Sequence, residues 1–278
     1  MNKKKNVFLV LVSLTAFLLS SCSFFKAVDS ESFDPLSGYS GSAPYLETTE
    51  DGVYIEETTV VGSNNTRRVS ITIPAKNAKG EYITDIGVSA FFQHTKLVSV
   101  YFAKDSQVKV LREHAFSGCV SMTTIALPDS LEIIEAAAFG RSRLGEITIP
   151  DNVTTIGDNA FYNCSSLAYF SFPLKVTDFS DYLFNGCDHL YTVMIHKDMK
   201  EFHENSFYGV NEDCRFFYLG NKEEFATIKG SNYAPRMQMY YYSYNKPSDE
   251  ENDGHYWHFA SDVGAEIWPI FDETNPTY

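Results

Sequence analysis

Apolar and polar residues alternate in short runs along this chain, and the runs return at a nearly fixed interval. After each run comes an Ala-Phe step or a close variant. Its Phe recurs at Phe91, Phe116, Phe139, Phe161, Phe184 and Phe207, spaced by 25, 23, 22, 23 and 23 residues. A period of 20–30 residues marks a solenoid, and six copies exceed the three or so that such a stack needs. Six, nine and eleven residues after the Phe stand Leu97, Val100, Phe102; Met122, Ile125, Leu127; Leu167, Phe170, Phe172; and Leu190, Val193, Ile195. The third repeat is one residue short and places Leu144, Ile147 and Ile149 at five, eight and ten. Apolar residues two apart predict a strand with one buried face. Each repeat therefore supplies one short strand, stacked parallel on the next, with the Phe filling the interior behind it. A lone repeat has nothing to bury that face against, so stability resides in neighbour interfaces.

The best-formed repeat, Leu144 to Cys164, reads LGEITIPDNVTTIGDNAFYNC. It resembles the BspA-type leucine-rich repeat proteins of microbial surfaces, whose pattern is roughly LxxIxIPxxVxxIGxxAFxxCxx, and the resemblance covers about residues 53–278. It implies a leucine-rich repeat solenoid, an α/β-type repeat made mainly of short parallel β-strands. About six repeats of 22–25 residues would lie between an N-terminal β cap and a C-terminal cap. Departures occur at Leu183 and Ser206, which replace the Ala before Phe, and at Arg112, Glu135, Ser180 and His203, which replace the Gly after the apolar residue. In the last repeat Asp213 stands where an apolar residue is expected.

Outside the array the chain changes character. Lys3, Lys4 and Lys5 precede an apolar run of 13 residues, Val7 to Leu19. That is shorter than the roughly 20 residues of a membrane span and has the shape of a secretory signal. The sequence then reads Leu19-Ser20-Ser21-Cys22, similar to a bacterial lipoprotein processing site, which implies lipidation of Cys22 and a membrane anchor exposed on the extracellular side. The expected organisation is a signal at 1–21, a lipid-anchored flexible tether at 22–51 and an N-terminal β cap at 52–82. The solenoid follows at 83–229, and an aromatic, acidic C-terminal cap segment at 230–278. Phe24 and Phe25 fall in the Ser- and Gly-rich tether. In the first cap Val53-Tyr54-Ile55 and Thr58 to Val61 read as strands, with GSNNT (62–66) as a turn and Arg67-Arg68 as a solvated edge. Val69, Ile71 and Ile73 mimic the strand of a full repeat, so seven strands are expected in the main sheet, the last at 215–218. Asn221 to Lys229 predicts a short helix with Phe225 and Ile228 on one side.

Charge narrows the partners. The chain carries a net charge of −14, which becomes −17 once the three signal lysines are removed. Such a chain does not bind nucleic acid through phosphates or lie on an anionic membrane by charge. Because the compartment permits disulfides, the cysteines matter. Cys119, Cys164 and Cys187 share one place in the period with His94, Ser142 and Val210, so they stack inside the array. Adjacent coils bring them close enough to bridge, but parallel side-chain vectors oppose a disulfide, and buried free thiols are expected. No Cys or His pair has zinc-ligand spacing. His255 and His258, three apart, read as cap packing. No nucleophile elbow, phosphate loop or protease motif occurs, and neither an enzyme nor a cofactor is expected.

What remains is the surface between the buried strand residues. It comprises Ser99 and Tyr101, Thr124 and Ala126, Glu146 and Thr148, Tyr169 and Ser171, Thr192 and Met194, Arg215 and Phe217. The ligand-binding candidates on this concave face are Tyr101, Thr124, Glu146, Thr148, Tyr169, Ser171, Thr192, Met194, Arg215 and Phe217. Aromatics with just two charges suit an interface centre. Tyr162 reads as an exposed aromatic off this face. The expectation is a monomeric surface module that binds an extracellular host or neighbouring-cell protein, and the family resemblance implies adhesion. The alternative is cell-wall glycan binding through the aromatic tail, Tyr240–Tyr242, Tyr256, Trp257 and Trp268.

Overall fold

The structure is a computed structural model that describes residues 47–63, 69–234, 237–245, 247–248, 252, 254–260 and 264–267. The signal, Cys22, most of the tether, Arg67-Arg68 and Trp268 lie outside the described residues. The described chain is a β-solenoid of about eight turns with mostly parallel strands and a single short α-helix.

A regular coil passes through an exposed-face strand, a second strand of two residues and a tight turn that carries the Phe. The rings of the turns stack. Phe91 and Phe116 lie 5.1 Å apart and 3° from parallel, Phe116 and Phe139 5.9 Å and 6°, Phe139 and Phe161 5.4 Å and 11°, Phe161 and Phe184 6.0 Å and 21°. Behind the rings the backbones are stitched coil to coil. The amides of Phe91, Phe116, Phe139 and Phe161 donate to the carbonyls of Ala115, Ala138, Ala160 and Leu183 at 2.8–3.1 Å. Two residues before the Phe, the backbone is left-handed at Ser89, His114, Ala137, Asn159 and Tyr182; two residues after, at Gln93, Arg141 and Asn163 and at Gly118, Gly186 and Gly209. This alternation turns successive amides to the next coil. It is intrinsically unfavourable for residues bearing a Cβ, so the packing must hold it, and glycine eases it at the second position.

The second ladder was not foreseen from the sequence. Thr59–Ser63, Asp85–Ile86, Val110–Leu111, Ile133–Ile134 and Thr155–Ile156 form a parallel series, extended at its start by Val53–Glu56 and Glu47–Thr48 into a seven-stranded sheet. Glu47–Thr48, in the stretch expected as tether, pairs antiparallel with Tyr54–Ile55 and so belongs to the cap. Asp178–Phe179 and Glu201–Phe202 continue the ladder as a separate pair. Where the Ile-Gly glycine is replaced by Arg112 and Glu135, the side chains link coils by ion pairs, and the buried Ser180 hydroxyl donates to the Ile156 carbonyl of the preceding coil. The Arg112 guanidinium lies 2.5 Å from Asp85 and 3.0 Å from Glu135.

The exposed face also departs from expectation. Instead of one seven-stranded sheet there are two. Ser70–Ile73, Ser99–Phe102 and Thr124–Ile125 form one; the other begins with Tyr169–Ser171, Thr192–Ile195 and Arg215–Tyr218. No strand forms over 144–149. Leu144, Ile147 and Ile149 are still buried, at 0%, 8% and 7% exposure, and the Ala168 amide donates to the Gly145 carbonyl at 3.0 Å. The seam in the ladder falls at the repeat that is one residue short. Nor is 215–218 the last strand: Gln238–Tyr242 and Tyr256–Ala260 add in parallel, and Gly264–Ile267 antiparallel. The predicted helix forms at Lys222–Ala226 with a capping box between Asn221 and Glu224, and Phe225 and Ile228 are buried. Cys214, fully buried, lies beside the exposed Asp213.

Phe161 is fully buried between the rings of Phe139 and Phe184 and touches Phe170. Phe161→Ala is expected to cost roughly 3–5 kcal/mol of unfolding free energy, measured by urea denaturation. A midpoint equal to the parent's would show that the ladder does not carry the fold.

Candidate interaction face

Strand pleating fixes what this face presents. Register places Ser70, Ser99 and Thr124 in one row, with Thr72 beside Tyr101. Beyond the seam Tyr169, Thr192, Arg215 and Gln238 form a second row, and Ser171, Met194, Phe217 and Tyr240 a third. Tyr101 and Tyr169 are 44% and 47% exposed. Thr124, Glu146, Thr148, Ser171 and Arg215 are also exposed, and Thr192 is half-buried.

Two candidates are not available. Met194 and Phe217 are 8% and 5% exposed because Trp257, itself 0% exposed, packs on them from the same face. Trp257 meets Phe217 edge-on at 5.4 Å and Tyr242 at 5.3 Å, Phe217 stacks on Tyr240 at 5.2 Å, and the indole N–H donates to the Tyr218 carbonyl at 3.0 Å. The C-terminal segment thus does more than close the end of the stack: it covers part of the face. The Trp257 ring is fully engaged in this packing and has no surface on which a sugar could stack. Tyr162 is also corrected. It is half-buried, its ring laid over Gly140, with the Arg141 guanidinium 5.6 Å from its centroid.

Sequence reasoning missed Tyr191 and Gln238. With Thr192, Asp213 and Arg215 they line a shallow depression of about 320 Å³ beside the covered zone. Gln238 opens the strand Gln238–Tyr242, whose three consecutive tyrosines give no alternation to mark it as part of the sheet.

The interior thiols follow the expected stacking. All four described cysteines are free and buried. Sγ of Cys119, Cys164 and Cys187 donates to the carbonyls of Phe91, Phe139 and Phe161 in the preceding coil at 3.1, 3.1 and 3.0 Å. Burial pushes Cys119 and Cys214 up to about 12 and Cys164 to about 11, and it raises Cys187 as well. His196 is buried with Nε2 2.7 Å from the Val176 carbonyl, and burial, partly offset by Glu113, lowers His114. Among the described residues no group of three or more His, Cys, Asp or Glu is placed to hold a metal ion, and no helix is long and apolar enough to cross a membrane.

Comparison with known proteins fits this geometry. Residues 81–212, a little under half of the chain, match the BspA type leucine rich repeat region in six copies. The solenoid is similar to the T. pallidum leucine rich repeat protein TpLRR at 23% identity and TM-score 0.54, over 63% of this chain and 80% of that one. It is also similar to the pneumococcal vaccine antigen PcpA at 19% identity and TM-score 0.56, over 67% of this chain and 46% of that one. These likenesses establish the fold. No curated protein matches the sequence.

The thiols give a pH prediction. Unfolded thiols ionise near their ordinary value of about 9, whereas the folded ones hold their protons to about 11–12. Their contribution to stability is therefore intact below about pH 9 and lost as pH rises from there through the folded values. Denaturation midpoints should fall across that window, less steeply in Cys119→Ala. A profile as steep in Cys119→Ala as in the parent would assign the loss to other groups.

Proposed function

We propose that this chain is a surface-anchored protein-binding module rather than an enzyme, and that it engages its partner through the uncovered part of the exposed sheet face. The observation that carries this reading is the pair Tyr101 and Tyr169, 44% and 47% exposed on a face with hydroxyl neighbours and few charges. Tyrosine offers large amphipathic contact area at low conformational-entropy cost, and solenoids bind along such extended faces. In this reading the partner is an extracellular protein of a host or neighbouring cell, bound in adhesion by a monomer. Cys22 carries the lipid that holds the module to the outer side of a membrane.

Tyr169→Ala should change stability by no more than about 0.5 kcal/mol, because the ring is exposed. It should weaken partner binding by about 1 kcal/mol or more if the ring is an anchor. Tyr208, 61% exposed on the turn of the last repeat, is the control. The measurement is calorimetric titration against the partner recovered by pull-down from surface extracts. Loss of affinity in Tyr208→Ala with Tyr169→Ala unchanged would place the site elsewhere.

The anchor has its own test. Cys22→Ala should release the protein from the membrane fraction or block its maturation. Equal retention of variant and parent in membranes would remove the lipid from this reading.

A further inference from the structure

Several basic side chains of this acidic protein enter no ion pair, but among the described strands of the exposed face Arg215 is the one Arg or Lys. Lys109 pairs with Glu132, Arg112 with Asp85 and Glu135, and Lys229 with Glu201. Among the described residues Arg215 enters no ion pair, and Asp213 on the rim of the same depression does not reach it. It is exposed, on the face already read as the binding surface, between Thr192 and Gln238 in the neighbouring strands. Tyr191, 47% exposed, lines the same hollow, and Tyr169 stands one strand beyond Thr192.

The adjoining zone shows what kind of object this surface accepts. Two residues further along the same strand, Phe217 is covered by Trp257, which projects from an extended segment of the chain, Tyr256–Ala260. A strand-borne apolar side chain is thus accommodated immediately beside Arg215. A polyanion is disfavoured, since the chain carries a net charge of −14 and would repel it.

We propose, resting on the exposed-face reading, that the Arg215 depression binds an extended peptide segment of a partner protein bearing a single carboxylate among apolar residues. The carboxylate of a Glu or Asp pairs with the Arg215 guanidinium, the geometry that favours two-point contact. The Thr192 hydroxyl and the second N–H of the Gln238 amide, whose first donates to the Glu212 carbonyl at 3.2 Å, supply hydrogen bonds at its sides, and an adjacent apolar side chain lies on Tyr191 and Tyr169.

The test uses the full chain and two pooled peptide libraries, identical except for a fixed central Glu in one and Gln in the other, with apolar-biased flanks. Peptides retained from the Glu pool, labelled with fluorescein, should bind about tenfold tighter than their Gln twins by anisotropy and weaken as salt rises. Arg215→Gln should erase the Glu preference and Arg215→Lys keep part of it, both with the parent's melting temperature. Failure of the Glu pool to enrich, or an undiminished Glu preference in Arg215→Gln, overturns the proposal. Peptides from either pool that are lost in Tyr101→Ala and Tyr169→Ala but not in Arg215→Gln would sink the carboxylate assignment and leave the face reading standing. Loss confined to Tyr208→Ala would sink both.

Discussion

Everything in this molecule depends on one contact made over and over: a coil has an interior only where the next coil supplies it. The Phe rings stacked 5.1–6.0 Å apart are its apolar half. Full burial of each ring contributes about 1.5–3 kcal/mol, with roughly 0.5–1.5 more from ring-on-ring geometry. The amides donated across coils at every second residue of the turn are the other half. They demand left-handed backbone at residues such as Ala137 and Tyr182, a conformation that an isolated coil would abandon. Packing and backbone strain are therefore coupled, and cooperativity runs along the stack. Past Phe184 the parallel stacking gives way to tilted and edge-on contacts among Phe179, Phe202, Phe207 and Phe216. The edge-on arrangement still keeps Phe179, Phe202 and Phe216 buried, and only Phe207 rises to 7% exposure.

The interior was legible because a buried position repeats itself: the Phe series, the alternating strand residues and the stacked thiols all fall where the period puts them. The second ladder was not, since two-residue strands such as Val110–Leu111 are too short to show a period. The seam at 144–149 has a sequence signature, the missing residue. Its consequence for the ladder depends on three-dimensional register, because the same apolar residues stay inside whether or not the backbone pairs. The least legible feature was the burial of Met194 and Phe217. Alternation says which side of a strand a residue faces, not what covers that side, and the cover comes from Trp257, 40 residues beyond Phe217 in the sequence.

That cover also explains how the face is divided. Met194 and Phe217 have no polar group to leave in water, whereas Tyr101 and Tyr169 keep a hydroxyl at the surface while presenting a ring. A solenoid end that must be closed gains most by closing over the purely apolar pair, and the Trp257 indole N–H finds the Tyr218 carbonyl in doing so. The amphipathic residues are left open at little cost. The boundary between the two zones falls at Phe217, two residues from Arg215, whose charge could not be covered without a partner. Capping and recognition are thus two outcomes of one rule applied to neighbouring residues of a single strand: side chains that must leave water are covered by the chain itself, and those that tolerate water remain available to something else.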